Sequence, residues 1–81
     1  MIIKIVNAEY VGEYSLKIYF HDGKANIVDF KNFLSNARNP MIRKYLNLDF
    51  FKKFKVNYGD LEWNDFELCF PNYDLYQGII E

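Results

Sequence analysis

The sequence predicts an α+β domain: a small, mainly antiparallel sheet in β-β-β-α-α-β-β-α order, with short helices packed on one face. Two observations predict it. Alternating apolar stretches typical of strands are grouped on either side of a middle region with helical i, i+3, i+4 spacing. Gly and Asn-Pro signals punctuate the boundaries, so strands and helices are segregated rather than interleaved.

Residues 2–11 are β-branched and roughly alternating, which reads as a first strand closed by Gly12-Glu13. Tyr14, Leu16, Ile18 and Phe20 then alternate with Ser15, Lys17, Tyr19 and His21, the pattern of a half-buried strand. Asp22-Gly23 turns the chain into a third strand, Lys24 to Val28. Two registers fit. A two-residue turn pairs Ile18 with Ile27, whereas a turn with a glycine bulge pairs Leu16 with Val28 and Tyr14 with Phe30.

Phe30, Phe33 and Leu34 show helical spacing behind an Asp29 N-cap. Asn39-Pro40 starts a second helix with Met41, Ile42, Tyr45 and Leu46 inward. Leu48, Phe51 and Phe54 mark a third, with Lys52 and Lys53 outward. Gly59-Asp60 suits a two-residue type II′ turn that pairs Tyr58 with Leu61 and Val56 with Trp63. The apolar phase then shifts to Phe66, Leu68 and Phe70, which implies a turn or bulge at Asn64-Asp65. Pro71 opens a last helical turn through Tyr76, and Gly78 ends it.

The chain of 81 residues has room for one core, so residues 1–81 form a single domain. Half of the residues are apolar (51%) and a fifth aromatic (20%), enough to fill that core without staples. Cys69 is the only cysteine, which excludes an intrachain disulfide and fits a reducing compartment. The apolar start, Met1 to Val6, is shorter than a signal peptide, and no stretch approaches the ~18 apolar residues of a membrane span. The expectation is a cytoplasmic protein with no membrane partner.

Net charge is −1, unevenly distributed. Residues 38–55 carry Arg38, Arg43, Lys44, Lys52, Lys53 and Lys55 against Asp49 alone. Residues 56–81 carry no Lys or Arg but include Asp60, Glu62, Asp65, Glu67, Asp74 and Glu81. The chain is a dipole along its length.

The ordered combination of Glu9-Tyr10, Tyr14-Ser15-Leu16, Phe20-His21-Asp22-Gly23, Val28-Asp29-Phe30, Phe33-Leu34, Phe51, Val56, Glu62-Trp63, Pro71 and Leu75-Tyr76 resembles the bacterial domain-of-unknown-function 2442 family. The resemblance covers nearly the whole chain. It departs after Trp63, where the family has Pro and then Gly-x-Asp, and this chain has Asn64 and Phe66-Glu67. The resemblance implies an α+β fold and no assigned activity. Related domains occur beside small toxin-like proteins or fused to helix-turn-helix segments, which implies an antitoxin-like or regulatory role.

Catalytic, cofactor and metal signatures are missing. His21, the only histidine, sits at a hairpin edge, and Cys69 has acidic and apolar sequence neighbours that disfavour a thiolate. The four glycines are scattered at turns and make no phosphate loop. The chain is therefore expected to be a non-enzymatic protein-interaction module, with a partner encoded nearby or a second copy as a homodimer. Glu62, Trp63, Asp65, Glu67, Tyr73 and Tyr76 are the candidate interface, combining acidic charge with aromatic anchors. The alternative is a nucleic-acid-binding or transcription-regulatory module that uses Arg38, Arg43, Lys44, Lys52 and Lys53, interleaved with Tyr45, Phe50, Phe51 and Phe54.

Overall fold

The computed structural model describes residues 2–64, 66–78 and 80. Strands β1 (Ile5–Gly12), β2 (Ser15–Phe20) and β3 (Ala25–Asp29) form an antiparallel sheet in the order β1-β2-β3. On β2 the alternation holds: Leu16, Ile18 and Phe20 are buried and Ser15, Lys17 and Tyr19 are half-buried. Of the two registers the bulged one forms, with Leu16 opposite Val28 and Ile18 opposite Asn26. The Phe30 N–H continues it, donating to the Tyr14 carbonyl at 2.8 Å. A three-residue connection selects this register. Gly23 takes φ +92°, its N–H bonds the Phe20 carbonyl at 3.0 Å, and Phe20 N–H reaches Lys24 at 2.8 Å.

The middle of the chain is a run of short helical turns. The N-cap of α1 (Lys31–Asn36) is Phe30 rather than the expected Asp29, whose carboxylate sits one residue earlier and accepts from Lys31 N–H at 2.9 Å; the helix buries Leu34. Asn39 accepts from Met41 N–H at 2.9 Å at the head of α2 (Pro40–Arg43). This turn runs into a 3-10 turn, Lys44–Leu46, and Asn47 caps α3 (Leu48–Phe51). Tyr45 and Phe51 point inward as expected, but Met41 is 54% exposed. The tighter 3-10 turn after Arg43 breaks the 3.6-residue period that would have aligned Met41 with Tyr45.

A second antiparallel sheet, in the order β4-β5-β6, follows: β4 (Lys55–Asn57), β5 (Asp60–Trp63) and β6 (Leu68–Cys69). The antiparallel α+β class stands, with the strands divided between two sheets of three. The β4–β5 register corrects the expectation. Val56 faces Leu61 and Asn57 faces Asp60, so the turn residues are Tyr58 and Gly59, not Gly59 and Asp60. Both have positive φ, +53° and +84°, the pattern of a type I′ turn, whose twist matches the flanking strands. The expected break after Trp63 is present as a turn in which Glu67 N–H bonds the Asn64 carbonyl at 3.2 Å; Asp65 lies outside the described residues. Pro71 leads into α4 (Asn72–Gln77), and Gly78 closes it at φ +80°.

The two sheets meet at Gly59. Its carbonyl accepts from Ile5 N–H at 2.9 Å and from the Asn72 side-chain amide at 2.9 Å. Between the sheets and the middle helices lies a core with Trp63 at its centre, fully buried. Its ring packs on Phe30, Phe51 and Phe70 with centroids 5.7, 5.8 and 6.1 Å away, mostly edge-on.

Candidate nucleic-acid interface

Asn47 sets the phase of the site. By capping α3 it turns Phe51 into the core and leaves the adjacent Phe50 on the outside, 41% exposed. Lys53 follows one turn after Phe50, Lys44 precedes it on the 3-10 turn, and Lys55 opens β4. These residues line a cleft of about 240 Å³ with Tyr45, Trp63 and Asn64. The Lys53 ammonium lies 5.4 Å from the Phe50 ring centre and the Lys44 ammonium 5.9 Å from it. A cation beside an exposed ring face is weakly attractive and still solvated, so Lys53 can exchange that contact for an anion.

Lys44 is also the hinge between the basic and acidic stretches. Its ammonium pairs with a Glu67 carboxylate oxygen at 2.5 Å, and the same oxygen accepts the buried Tyr45 hydroxyl at 2.6 Å. The Lys44 contact, with the Tyr45 hydroxyl second, holds the Glu67 carboxyl below its ordinary range. Burial, reinforced by Glu67, pushes the Tyr45 phenol up.

The predicted basic residues divide. Lys44 and Lys53 share the cleft. The Lys52 ammonium lies 4.8 Å from the Tyr10 ring on β1 instead. Arg43 is occupied within the fold, donating to the Ser35 and Ala37 carbonyls at 2.8 and 3.2 Å and tying off the end of α1. Arg38 is exposed in the loop before α2. Lys55 and Phe50, which the sequence placed in the basic, aromatic-rich stretch without naming them as contacts, complete the cleft together with Asn64. The signal for Lys55 was its outward place on a short strand; nothing local marked Asn64, whose position depends on the turn after β5.

The predicted acidic and aromatic interface does not assemble. Trp63 is fully buried, its indole N–H donating to the Phe51 carbonyl at 2.7 Å. Glu62 is only 2% exposed and accepts the Phe66 N–H at 2.7 Å. The physical reason is that β5 is the central strand of its sheet and is covered on both faces, so the polar face inferred from alternation is closed by the turn that follows. Glu67 is held by Lys44 and Tyr45, and Asp65 lies outside the described residues. Tyr76 is bound to the first hairpin: its hydroxyl donates to Asp22 at 2.6 Å and its ring meets Phe20 edge-on at 5.0 Å. Of the described members of the set, Tyr73 alone is broadly exposed, at 58%.

His21 sits at the hairpin edge, where its Nδ1 lies 3.2 Å from Lys4 N–H, and Cys69 is exposed on β6. Among the described residues no three His, Cys, Asp or Glu side chains gather in a metal-binding group, and no helix is long and apolar enough to cross a membrane.

The crystal structure of a candidate DNA-binding protein from Nitrosomonas europaea is similar to this fold, with a TM-score of 0.68 and 23% identity. The similarity covers 84% of this chain and 44% of that one, so the chain spans under half of the length of the protein it matches. No curated protein matches the sequence. The model of the family of proteins of unknown function DUF2442 matches residues 5–81, nearly the whole chain and with it both sheets and the cleft, and the chain belongs to that family.

Proposed function

We propose that the chain is a binding module, not an enzyme, and that it contacts nucleic acid through the cleft between the 3-10 turn, α3 and β4. The observation that carries this reading is the ring of Lys44, Lys53 and Lys55 around the exposed Phe50 side chain. Ammonium groups at the rim suit phosphates, and an accessible aromatic ring among them offers a surface for a base. The fold shared with a candidate DNA-binding protein supports the reading by analogy. Intramolecular charge is consistent with it: among the described residues the acidic end neutralises Lys44 in the cleft, through Glu67, and pairs with neither Lys53 nor Lys55.

Binding of fluorescently labelled DNA and RNA, followed by anisotropy between 50 and 200 mM salt, tests the reading. Two phosphate contacts, from Lys53 and Lys55, give a slope of log affinity against log salt of roughly −1.4 to −1.8. Lys53→Glu and Lys55→Glu each reduce affinity and flatten the slope. Binding absent from all probes, or indifferent to both substitutions, overturns the proposal.

A second reading, a protein-interaction module with an antitoxin-like role, draws support from a different surface. Phe66 is 50% exposed beside a groove bordered by Cys69, Phe70 and Pro71 along the edge strand β6. Co-purification with the product of an adjacent gene, lost on Phe66→Asp, is its test. The absence of a complex removes it.

A further inference from the structure

Resting on the nucleic-acid reading, we infer that the cleft takes an unpaired base, so that its ligand is single-stranded rather than duplex nucleic acid. Three features of the cleft lead to this conclusion. The first is the size of the elements that carry it. The helical pieces at the site are α3, of four residues, and the 3-10 turn before it, of three. A four-residue helix is about 6 Å long. The major groove of DNA is about 12 Å wide and is read by longer helices that present several side chains along it. The two six-residue helices contribute nothing to the cleft lining.

The second feature is the Phe50 ring. It is 41% exposed, with the Lys53 ammonium 5.4 Å and the Glu67-paired Lys44 ammonium 5.9 Å from its centre. In a duplex the flat faces of the bases are stacked on each other, so an aromatic side chain has nothing to cover. In a single strand the faces are free, and stacking on an aromatic ring is sequence-tolerant. The Lys53 ammonium then moves from the ring to a phosphate beside the stacked base, with Lys55 at the rim of the same cleft.

The third is Asn64. It is exposed at the wall of the cleft and held at φ +49° by the turn after β5, a conformation that asparagine tolerates better than most residues. A carboxamide has both donors and an acceptor, and can bond the edge of a base that its complementary strand would otherwise occupy.

Anisotropy with a labelled oligothymidine of about 12 nucleotides, and with the matching duplex at the same salt, tests the inference. The single strand is expected to bind more tightly. Phe50→Ala should weaken it about tenfold or more and leave the salt slope unchanged, whereas Phe50→Tyr should retain binding. Lys53→Glu should instead flatten the slope by about 0.7. Because Phe50 is outside the core, circular dichroism of Phe50→Ala should match the parent chain. A preference for duplex, or full single-strand affinity in Phe50→Ala, overturns this inference and leaves the nucleic-acid reading standing. Failure of both probes to bind removes the two together.

Discussion

The indole N–H of Trp63 donates to the carbonyl of Phe51 at 2.7 Å, and this bond joins the central strand of the second sheet to the end of α3. The same turn displays Phe50 and Lys53, so the cleft depends on a buried contact one residue away from its own aromatic ring. Trp63→Phe removes the donor, leaves the Phe51 carbonyl unpaired and opens a void among Phe30, Tyr45 and Phe70. The expected loss is about 2–4 kcal/mol in urea-induced unfolding. Binding measured on the remaining folded fraction should also fall, because α3 loses its anchor.

The turn at Tyr58 and Gly59 offers a gain in stability. Tyr58 is 94% exposed yet held at φ +53°, so it bears a left-handed backbone without packing in return. Tyr58→Asn or Tyr58→Gly should raise stability by about 0.5–1 kcal/mol, read from the denaturation midpoint. Gly59→Ala should do the reverse by about 1–2 kcal/mol, since φ is +84° and the added carbon would lie 3.3 Å from Lys4 Cγ.

Stability should fall with acid through two carboxylates. The Tyr76 hydroxyl, with the Lys24 N–H second, lowers the Asp22 carboxyl, and Lys44 and Tyr45 lower that of Glu67. In the pH range between the folded and unfolded values the unfolded chain binds more protons, so the stability these groups give is present above about pH 4–4.5 and is lost as pH falls below it. Tyr76→Phe and Glu67→Gln should each flatten the acid limb of a plot of melting temperature against pH.

The alkaline limb has the opposite sign. The phenols of Tyr45 and Tyr76 are both raised, Tyr45 mainly by burial and Tyr76 mainly by its bond to Asp22. Their contribution is complete below about pH 10 and disappears above it, where the unfolded chain ionises first. Absorbance titration of the phenolate should show the Tyr45 step only with unfolding, and Tyr45→Phe should abolish it.

Much of the fold was legible because local chemistry and burial agreed. The alternation of β2, the Asn39-Pro40 start and the Pro71 to Gly78 segment all appear where the residues place them. The second hairpin was misread for a definite reason. Moving its register by two residues keeps Val56 and Leu61 on the same face, so hydrophobic pattern cannot separate the two alignments. The partners of Gly59, namely Ile5 and Asn72, are remote in sequence and do not enter a local reading. Trp63 and Glu62 were misplaced for a related reason: a strand covered on both faces carries no visible sign of it when one of its buried residues is a carboxylate satisfied by the next turn. In the cleft, Lys44 and Lys53 were readable as outward charges, whereas the role of Asn64 arises only from how the chain returns after β5.

The Asn72 amide reaches the Ile3 carbonyl at 2.9 Å across 69 positions, and Gly59 on the way. Almost the entire chain is therefore a loop fastened by one side chain, and this fastening can close only after both ends have arrived. Folding should be governed by that late encounter, with slow assembly relative to helical domains of the same size. Once closed, neither sheet can peel away without releasing the other, so the protein should lose its two halves in a single step.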